Sequence, residues 1–282
     1  MIPAAFDYVR VDSVEEAIGA LAEHGDEAKI LAGGHSLLPL MKLRFAMPEV
    51  LVDVGRVAAL KGVSDAGDEL VIGAMTTHHQ VTRDPLVRDH CGVLADVAAV
   101  VGDAQVRHRG TIGGATAHGD AAGDLPATLL ALEATMVAHG RSGLREIAAA
   151  DFFVGHLTTA LGDDEVLTEI RVPKLDADWA WHYEKFSRVA QAWAIVGSLA
   201  LVRRSNGTIE QARVGLTHMD AVPVRASATE AALAGASAEA ITAAAEQAAE
   251  ATSPPEDLSA TPEFRAHLAR VLTRRALEAA AG

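Results

Sequence analysis

Cysteine is almost missing from this 282-residue chain, which has only Cys91. A single thiol excludes an internal disulfide, and it excludes a cysteine-held iron–sulfur cluster, which needs four thiolates. Any metal redox centre that works with this chain must therefore sit on another polypeptide. Cys91 itself stands in an apolar helical stretch, where a buried structural thiol is the expectation. Basic residues are scarce as well: 24 Lys and Arg face 38 Asp and Glu, for a formal charge of −14. A nucleic-acid binder neutralises phosphates with a basic surface, so that class is excluded. A single enclosed phosphate ligand is not, because backbone N–H groups hold one without net positive charge. No run approaches the ~20 consecutive apolar residues of a membrane-spanning helix. The first residues, Met1 to Asp7, lack the basic and apolar regions of a secretory signal, so a cytoplasmic location is expected.

Several catalytic signatures are missing too. No Gly-x-Ser-x-Gly nucleophile elbow occurs. Glu133 and Asp151 have no partner that would make a glycosidase-like carboxylate pair. His78 and His79, read as neighbours on a strand, point to opposite faces, and no third ligand is spaced to join them. No catalytic residue and no metal site are assigned.

What is present is a patterned globular chain, half of it apolar, long enough for two domains. Ser13-Val14-Glu15-Glu16 reads as a capping box that opens a helix with Ala17, Ile18 and Leu21 on its apolar face. Lys29 to Ala32 and Val50 to Val54 read as short buried strands, so the first ~55 residues form a unit of strands with a crossover helix. Leu70 to Ala74 is a further strand, followed by a helix through Leu86 to Val101. A Gly-rich segment spans Gly110 to Gly123, Leu125 to Leu132 is a short apolar helix, and Ala134 to His139 returns as a strand. Glu165 to Val172 alternates with period two, with Val166, Thr168, Ile170 and Val172 on one face and Leu167 on the other. Pro173 ends it.

The texture changes from Trp179. Trp181 to Phe186, Ile195 to Arg203 and Ile209 to Leu216 read as strands, and Asn206-Gly207 supplies a hairpin turn between the last two. The remainder is Ala-rich and helical. Thr261-Pro262-Glu263 sets a cap and an N1 proline before Phe264, Leu268, Val271 and Leu272. Pro254-Pro255 marks a loop, and no internal repeat occurs. A boundary near residue 175 follows, with mixed α/β before it and strands followed by helices after it.

Two glycine pairs carry the chemistry. Ala32-Gly33-Gly34-His35-Ser36-Leu37-Leu38-Pro39 follows a strand, and Gly110-Thr111-Ile112-Gly113-Gly114 comes about 75 residues later. Each is expected to expose several backbone N–H groups at a turn, and the missing side chains allow a diphosphate to approach closely. Ser36 and Thr111 add hydroxyls. Neither matches Gly-x-Gly-x-x-Gly, and no Gly-Lys-Ser/Thr follows, so a Rossmann NAD site and a P-loop are both disfavoured.

In this order and spacing the two loops closely resemble the FAD-binding medium subunits of the carbon monoxide dehydrogenase and xanthine dehydrogenase group of molybdenum hydroxylases. Met41-Lys42-Leu43-Arg44, Leu51-Val52-Asp53-Val54, Ile72-Gly73-Ala74-Met75-Thr76-Thr77, Gln105-Val106-Arg107, Asp124-Leu125-Pro126, Lys185-Phe186-Ser187-Arg188 and Ala192-Trp193-Ala194-Ile195-Val196-Gly197 continue it over nearly the whole chain. The resemblance implies an α+β (mixed α/β) fold. A vanillyl-alcohol-oxidase-type (PCMH-like) FAD-binding domain would cover residues 1–175, in two subdomains of about 1–55 and 56–175. A C-terminal domain of a small antiparallel sheet and helices would cover 176–282.

It also implies noncovalent FAD, its diphosphate held by Ala32, Gly33, Gly34, His35, Ser36, Thr111, Ile112, Gly113 and Gly114. By the same matching Val101 and Gly102 border the flavin, Asp124 hydrogen-bonds the cofactor and Leu167 packs on the adenine side. Lys185 and Trp193 come near the isoalloxazine. His108 and His118 flank the second loop as further phosphate or ribose candidates. The chain departs from the family at Ala115, usually Asn; Ala121, often Pro; Val189, often Arg; and Ala192, usually Asp.

The expected function is therefore electron transfer from a 2Fe–2S partner through FAD to a final acceptor. The molybdenum cofactor sits on a large partner subunit and the 2Fe–2S clusters on a small one, as a dimer of heterotrimers. A stand-alone flavin oxidoreductase of the same fold, or a flavin-free scaffold subunit, is the alternative.

Overall fold

A computed structural model describes residues 2–282. The chain begins with a three-stranded parallel sheet built from β1 (Asp7–Arg10), β2 (Ala28–Leu31) and β3 (Val50–Asp53), ordered β1-β3-β2. Parallel neighbours need crossovers. Helix α1 (Val14–His24) supplies the first and α2 (Leu37–Leu43) the second. Ser13 caps α1 by accepting from the Glu16 N–H, while the Glu16 carboxylate accepts from the N–H of Asp12, one residue before the cap. Ala17, Ile18 and Leu21 pack on Val50 and Val52, as the periodicity predicts.

The second unit is a five-stranded antiparallel sheet. It contains β4 (Val63–Asp65), β5 (Glu69–Gly73), β6 (Thr135–Gly140), β7 (Gly143–Ala148) and, after the short helix α9 (Ala149–Phe152) and hairpin strands β8 (Phe153–Gly155) and β9 (Thr158–Thr159), β10 (Val166–Pro173). The order is β4-β5-β10-β6-β7. Between β5 and β6 lie six helices: α3 (His78–Val81), α4 (Pro85–His90), α5 (Gly92–Ala99), α6 (Ala104–Arg109), α7 (Ile112–His118) and α8 (Asp124–Ala131).

Three expectations change here. The helix read through Leu86 to Val101 is two helices, because Cys91 leaves helical geometry (φ −152°, ψ 54°) and Gly92 restarts the chain. A side chain at 92 would meet the Trp181 ring at 2.7 Å, so glycine is required for that packing. His78 and His79 are helical, behind a capping box of Thr77 and Gln80, and the opposite-face argument does not apply to them. Strand β10 carries a bulge between Leu167 and Glu169, so Val166, Leu167 and Thr168 are all buried instead of alternating.

The last unit is a four-stranded antiparallel sheet of β11 (Trp179–Phe186), β12 (Val196–Ser205), β13 (Thr208–Thr217) and β14 (Val224–Arg225). Asn206 and Gly207, both at positive φ, turn β12 into β13. Helices α10 (Ser227–Leu233), α11 (Ile241–Ala245) and α12 (Pro262–Ala281) follow, and α12 packs on the sheet. Thr261 caps α12 and Pro262 starts it. Its buried face includes Leu268 and Leu272 as expected, but Phe264 is exposed and Arg265 is fully buried. The guanidinium is held by the carbonyls of Pro255 and Ile195 and by Asp257. Core packing runs across residue 175: Trp179, Leu199 and Leu201 join Leu94 and Leu129 in one cluster. The mixed α/β architecture with a C-terminal sheet and helices is the one expected from the sequence. Among the described residues, no helix is long and apolar enough to cross a membrane, and no three His, Cys, Asp or Glu gather to hold a metal.

Candidate functional site

The two glycine loops converge. Residues 32–37 and Gly110, Thr111 and Gly114 line one cleft of about 640 Å³, together with Val101, Gly102, Asp124, Lys185 and Trp193. That volume lies in the ~300–1,000 Å³ range of small-molecule and cofactor sites.

The first loop runs from the end of β2 into α2. A Cβ on Gly33 would stand 2.2 Å from the Arg109 carbonyl oxygen and 2.8 Å from the Gly110 Cα, so the bare backbone is what lets the loops touch. Gly34, at φ +77°, makes the turn. Among the described residues the N–H groups of Gly33, Gly34, His35, Ser36 and Leu37 meet no acceptor, and all five residues line the cleft. The Ser36 hydroxyl makes no cap bond. Successive unpaired N–H groups at a turn form a cradle for an anion.

The second loop differs. The Ile112 N–H donates to Thr76 O (2.9 Å), Gly113 to Ala74 O (2.8 Å), Gly114 to Thr111 Oγ1 (3.0 Å) and Ala115 to Thr111 O (3.0 Å). A Cβ on Gly113 would lie 2.4 Å from the Ala74 Cβ. The loop is therefore packed against the end of β5, and among the described residues only its Thr111 N–H meets no acceptor. Ile112 is buried in the core away from the cleft, and Gly113 lines only a smaller adjoining cavity, which it shares with Leu167. The expectation that each loop exposes several N–H groups holds for the first alone; the second keeps one, at Thr111.

The walls come from elsewhere. Val101 and Gly102 are held by their carbonyls, which accept from the Arg107 guanidinium at 3.1 and 3.2 Å. Asp124 is buried at the start of α8. Its Oδ2 accepts from the Lys185 ammonium at 2.7 Å and its Oδ1 from the Tyr183 hydroxyl at 2.7 Å. Burial pushes the Asp124 carboxyl up, and Lys185 and Tyr183 pull it back. Burial first, then Asp124, drives the Tyr183 phenol well above its ordinary value, so it stays a donor. Lys185 also donates to Val100 O at 3.1 Å. Sequence reasoning paired neither Asp124 with Lys185 nor either with Tyr183. Strand alternation was the available signal, since 183 and 185 share a face of β11.

Trp193 stands half-exposed on the rim beside Gln191 and Ala192. It is not a core residue. Ala115 and His118 line the cleft, whereas His108 lies outside it, stacked on His79 with ring centroids 3.9 Å apart. Burial lowers the His118 pKa. Cys91 is fully buried, and burial pushes its thiol up to about 12.

A family model described as the FAD binding domain in molybdopterin dehydrogenase matches residues 4–175. The carbon monoxide dehydrogenase flavoprotein C-terminal domain matches residues 181–280. This chain is a member of that FAD-binding medium-subunit family. It is 41% identical over 282 residues to the carbon monoxide dehydrogenase medium chain of Hydrogenophaga pseudoflava, covering 99% of this chain and 98% of that one. It is 35% identical to the alpha subunit of the 6-hydroxypseudooxynicotine dehydrogenase complex of Paenarthrobacter nicotinovorans, covering 98% and 95%. The solved structure of the Hydrogenophaga pseudoflava enzyme lacking the Mo-pyranopterin moiety superposes with a TM-score of 0.97 at 44% identity, covering 99% and 98%. The chain is thus the FAD-binding subunit of an oxidoreductase, a multi-subunit dehydrogenase. The cleft fits the cofactor: five unpaired N–H groups suit a diphosphate, and a largely apolar cavity suits the rings.

Proposed function

We propose that the first glycine loop, Ala32 to Ser36, holds the FAD diphosphate, with Gly33, Gly34 and His35 as N–H donors, and that Thr111 and Gly114 close the far side. The run of five N–H groups without acceptors carries this reading. Ile112 and Gly113 support the second loop from behind. Val101 and Gly102 border the flavin. Lys185, fixed by Asp124, places an ammonium at the isoalloxazine, and Trp193 covers the ring from the rim. Leu167 packs on the adenine side through the adjoining cavity. FAD accepts electrons singly and releases them in pairs, while the protein supplies position and electrostatics.

In the complex, electrons reach the flavin from a 2Fe–2S cluster on a small subunit. A large subunit with the molybdenum cofactor oxidises the substrate, in a dimer of heterotrimers in the cytoplasm. We divide the chain into a FAD-binding domain (1–175) and a C-terminal domain (176–282). The relatives act on carbon monoxide and on a nicotine derivative by name, so substrate choice is assigned to the large subunit. An absorption spectrum of the purified chain, with mass analysis of the released cofactor, tests the reading. A colourless chain that cannot be reconstituted with FAD leaves a scaffold subunit. Copurification with molybdenum and iron–sulfur subunits separates a relay from a stand-alone oxidase.

A further inference from the structure

His78 has none of the roles assigned above, yet it sits at the junction of the two loops. Its backbone N–H donates to the Gly110 carbonyl at 3.0 Å, and the preceding Thr77 bridges to Thr111. The side chain is 3% exposed and lines the cleft. A Cβ on Gly110 would stand 2.9 Å from its Cδ2 and 3.0 Å from its Nε2, so the ring fills the space that this glycine leaves. Gly33 touches the same Gly110 from the first loop. The imidazole and the first loop therefore both pack against Gly110. Among the described residues neither ring nitrogen has a hydrogen-bond partner, and Nδ1 is fully buried. A buried polar atom without a partner is destabilising, and an aliphatic side chain of similar size would avoid it. Burial, then Arg107, then His35 push the pKa down to about 4, so the ring is neutral and carries one N–H donor and one acceptor.

We propose that His78 is a further cofactor-binding residue whose Nε2–H, the ring nitrogen that protein does not seal, donates a hydrogen bond to the anionic diphosphate cradled by the first glycine loop. This rests on the FAD reading above. An uncharged donor adds a contact to the anion without placing a second buried cation beside Arg107. It also accounts for glycine at 110, which is needed to seat the ring.

The test titrates the deflavinated full-length chain with FAD and with riboflavin, which has the same ring system but no diphosphate. His78→Leu is expected to weaken FAD binding about tenfold and to leave riboflavin binding unchanged. The thermal midpoint of the cofactor-free variant should equal or exceed that of the wild type, because an unpaired polar group has been removed. Recovery of FAD affinity in His78→Asn, which keeps an N–H donor, supports the hydrogen bond. Wild-type FAD affinity in His78→Leu, equal losses for FAD and riboflavin, or a lowered cofactor-free midpoint would overturn it. A measurement on the wild-type chain needs no variant: the ¹⁵N resonances of the His78 ring should shift on adding FAD, and an unmoved ring sinks the proposal. A wild-type chain that binds no FAD at all refutes the cofactor reading instead, so the two failures are distinguishable.

Discussion

The two glycine loops look alike in sequence and do different work. Both have a Gly-Gly pair beside a hydroxyl residue, and both line one cleft. In the first, five consecutive N–H groups are unpaired; in the second, Val106, Thr76, Ala74 and Thr111 accept all but the N–H of Thr111 itself. The difference lies in the surroundings. The first loop crosses open space between β2 and α2, whereas the second is braced against the end of β5. Most of the space that the glycines leave is also filled by protein and not kept for a ligand. Gly33 makes room for Arg109 and Gly110, and Gly113 makes room for Ala74. A Gly-Gly motif at a cofactor site is therefore partly a packing device, and only its N–H inventory separates the two roles.

The largest expected effect comes from closing that packing. Gly33→Val and Gly113→Val both drive a side chain into backbone or Cβ atoms nearer than 2.5 Å, so both should abolish stoichiometric FAD, measured as the flavin-to-protein ratio. Retention of FAD in both would show that the diphosphate has been placed in the wrong loops. Next comes the wall beyond the second loop. Asp124→Asn or Lys185→Met removes one partner of a buried ion pair and should cost about 3–5 kcal/mol of unfolding free energy. The double variant should lose less than the two singles together; strict additivity would mean that the pair does not interact.

A smaller effect depends on pH, through the histidine at the junction of the loops. The His78 cation is disfavoured in the folded chain, since its pKa falls from 6.5 to about 4. Because charging the buried ring is disfavoured, stability is insensitive to this group above pH 6.5 and falls, by up to about 3 kcal/mol, as pH drops from 6.5 through about 4. Acid unfolding curves should steepen across that window in the wild type and flatten in His78→Leu. An identical acid limb in both proteins would place the titration elsewhere. The smallest effect on stability belongs to Trp193→Ala. With the ring 54% exposed, unfolding should move by less than about 1 kcal/mol, while the flavin spectrum or potential changes. An unchanged spectrum and potential would remove Trp193 from the site.

Local patterns made much of this legible. The Ser13 cap, the Asn206-Gly207 turn, the Thr261-Pro262 start of α12 and the strand after Asn206 follow from short-range chemistry, and the structure has each of them. The misread elements are those where a distant residue intervenes. The chain leaves the helix at Cys91, and Gly92 beside it gives the Trp181 ring its space, while the β10 bulge turns Leu167 inward. Arg265 was given no role by helical spacing and is fully buried, with carbonyls from Pro255 and Ile195 and the Asp257 carboxylate converging on it. The candidate site divides the same way. Motifs offer both loops, Asp124, Lys185 and Trp193 as candidates, and the structure gathers most of them in one cleft; Tyr183 and His78 become candidates only through what they touch.

By itself the sequence determined that one thiol cannot hold a four-cysteine cluster and that two glycine motifs in this order belong to a FAD-binding subunit. Tertiary structure alone decided which loop keeps its N–H groups free, because hydrogen-bond partners such as Thr76 and Ala74 lie more than thirty residues from the groups they satisfy. A donor's availability is fixed by its three-dimensional neighbours, and no local pattern records them.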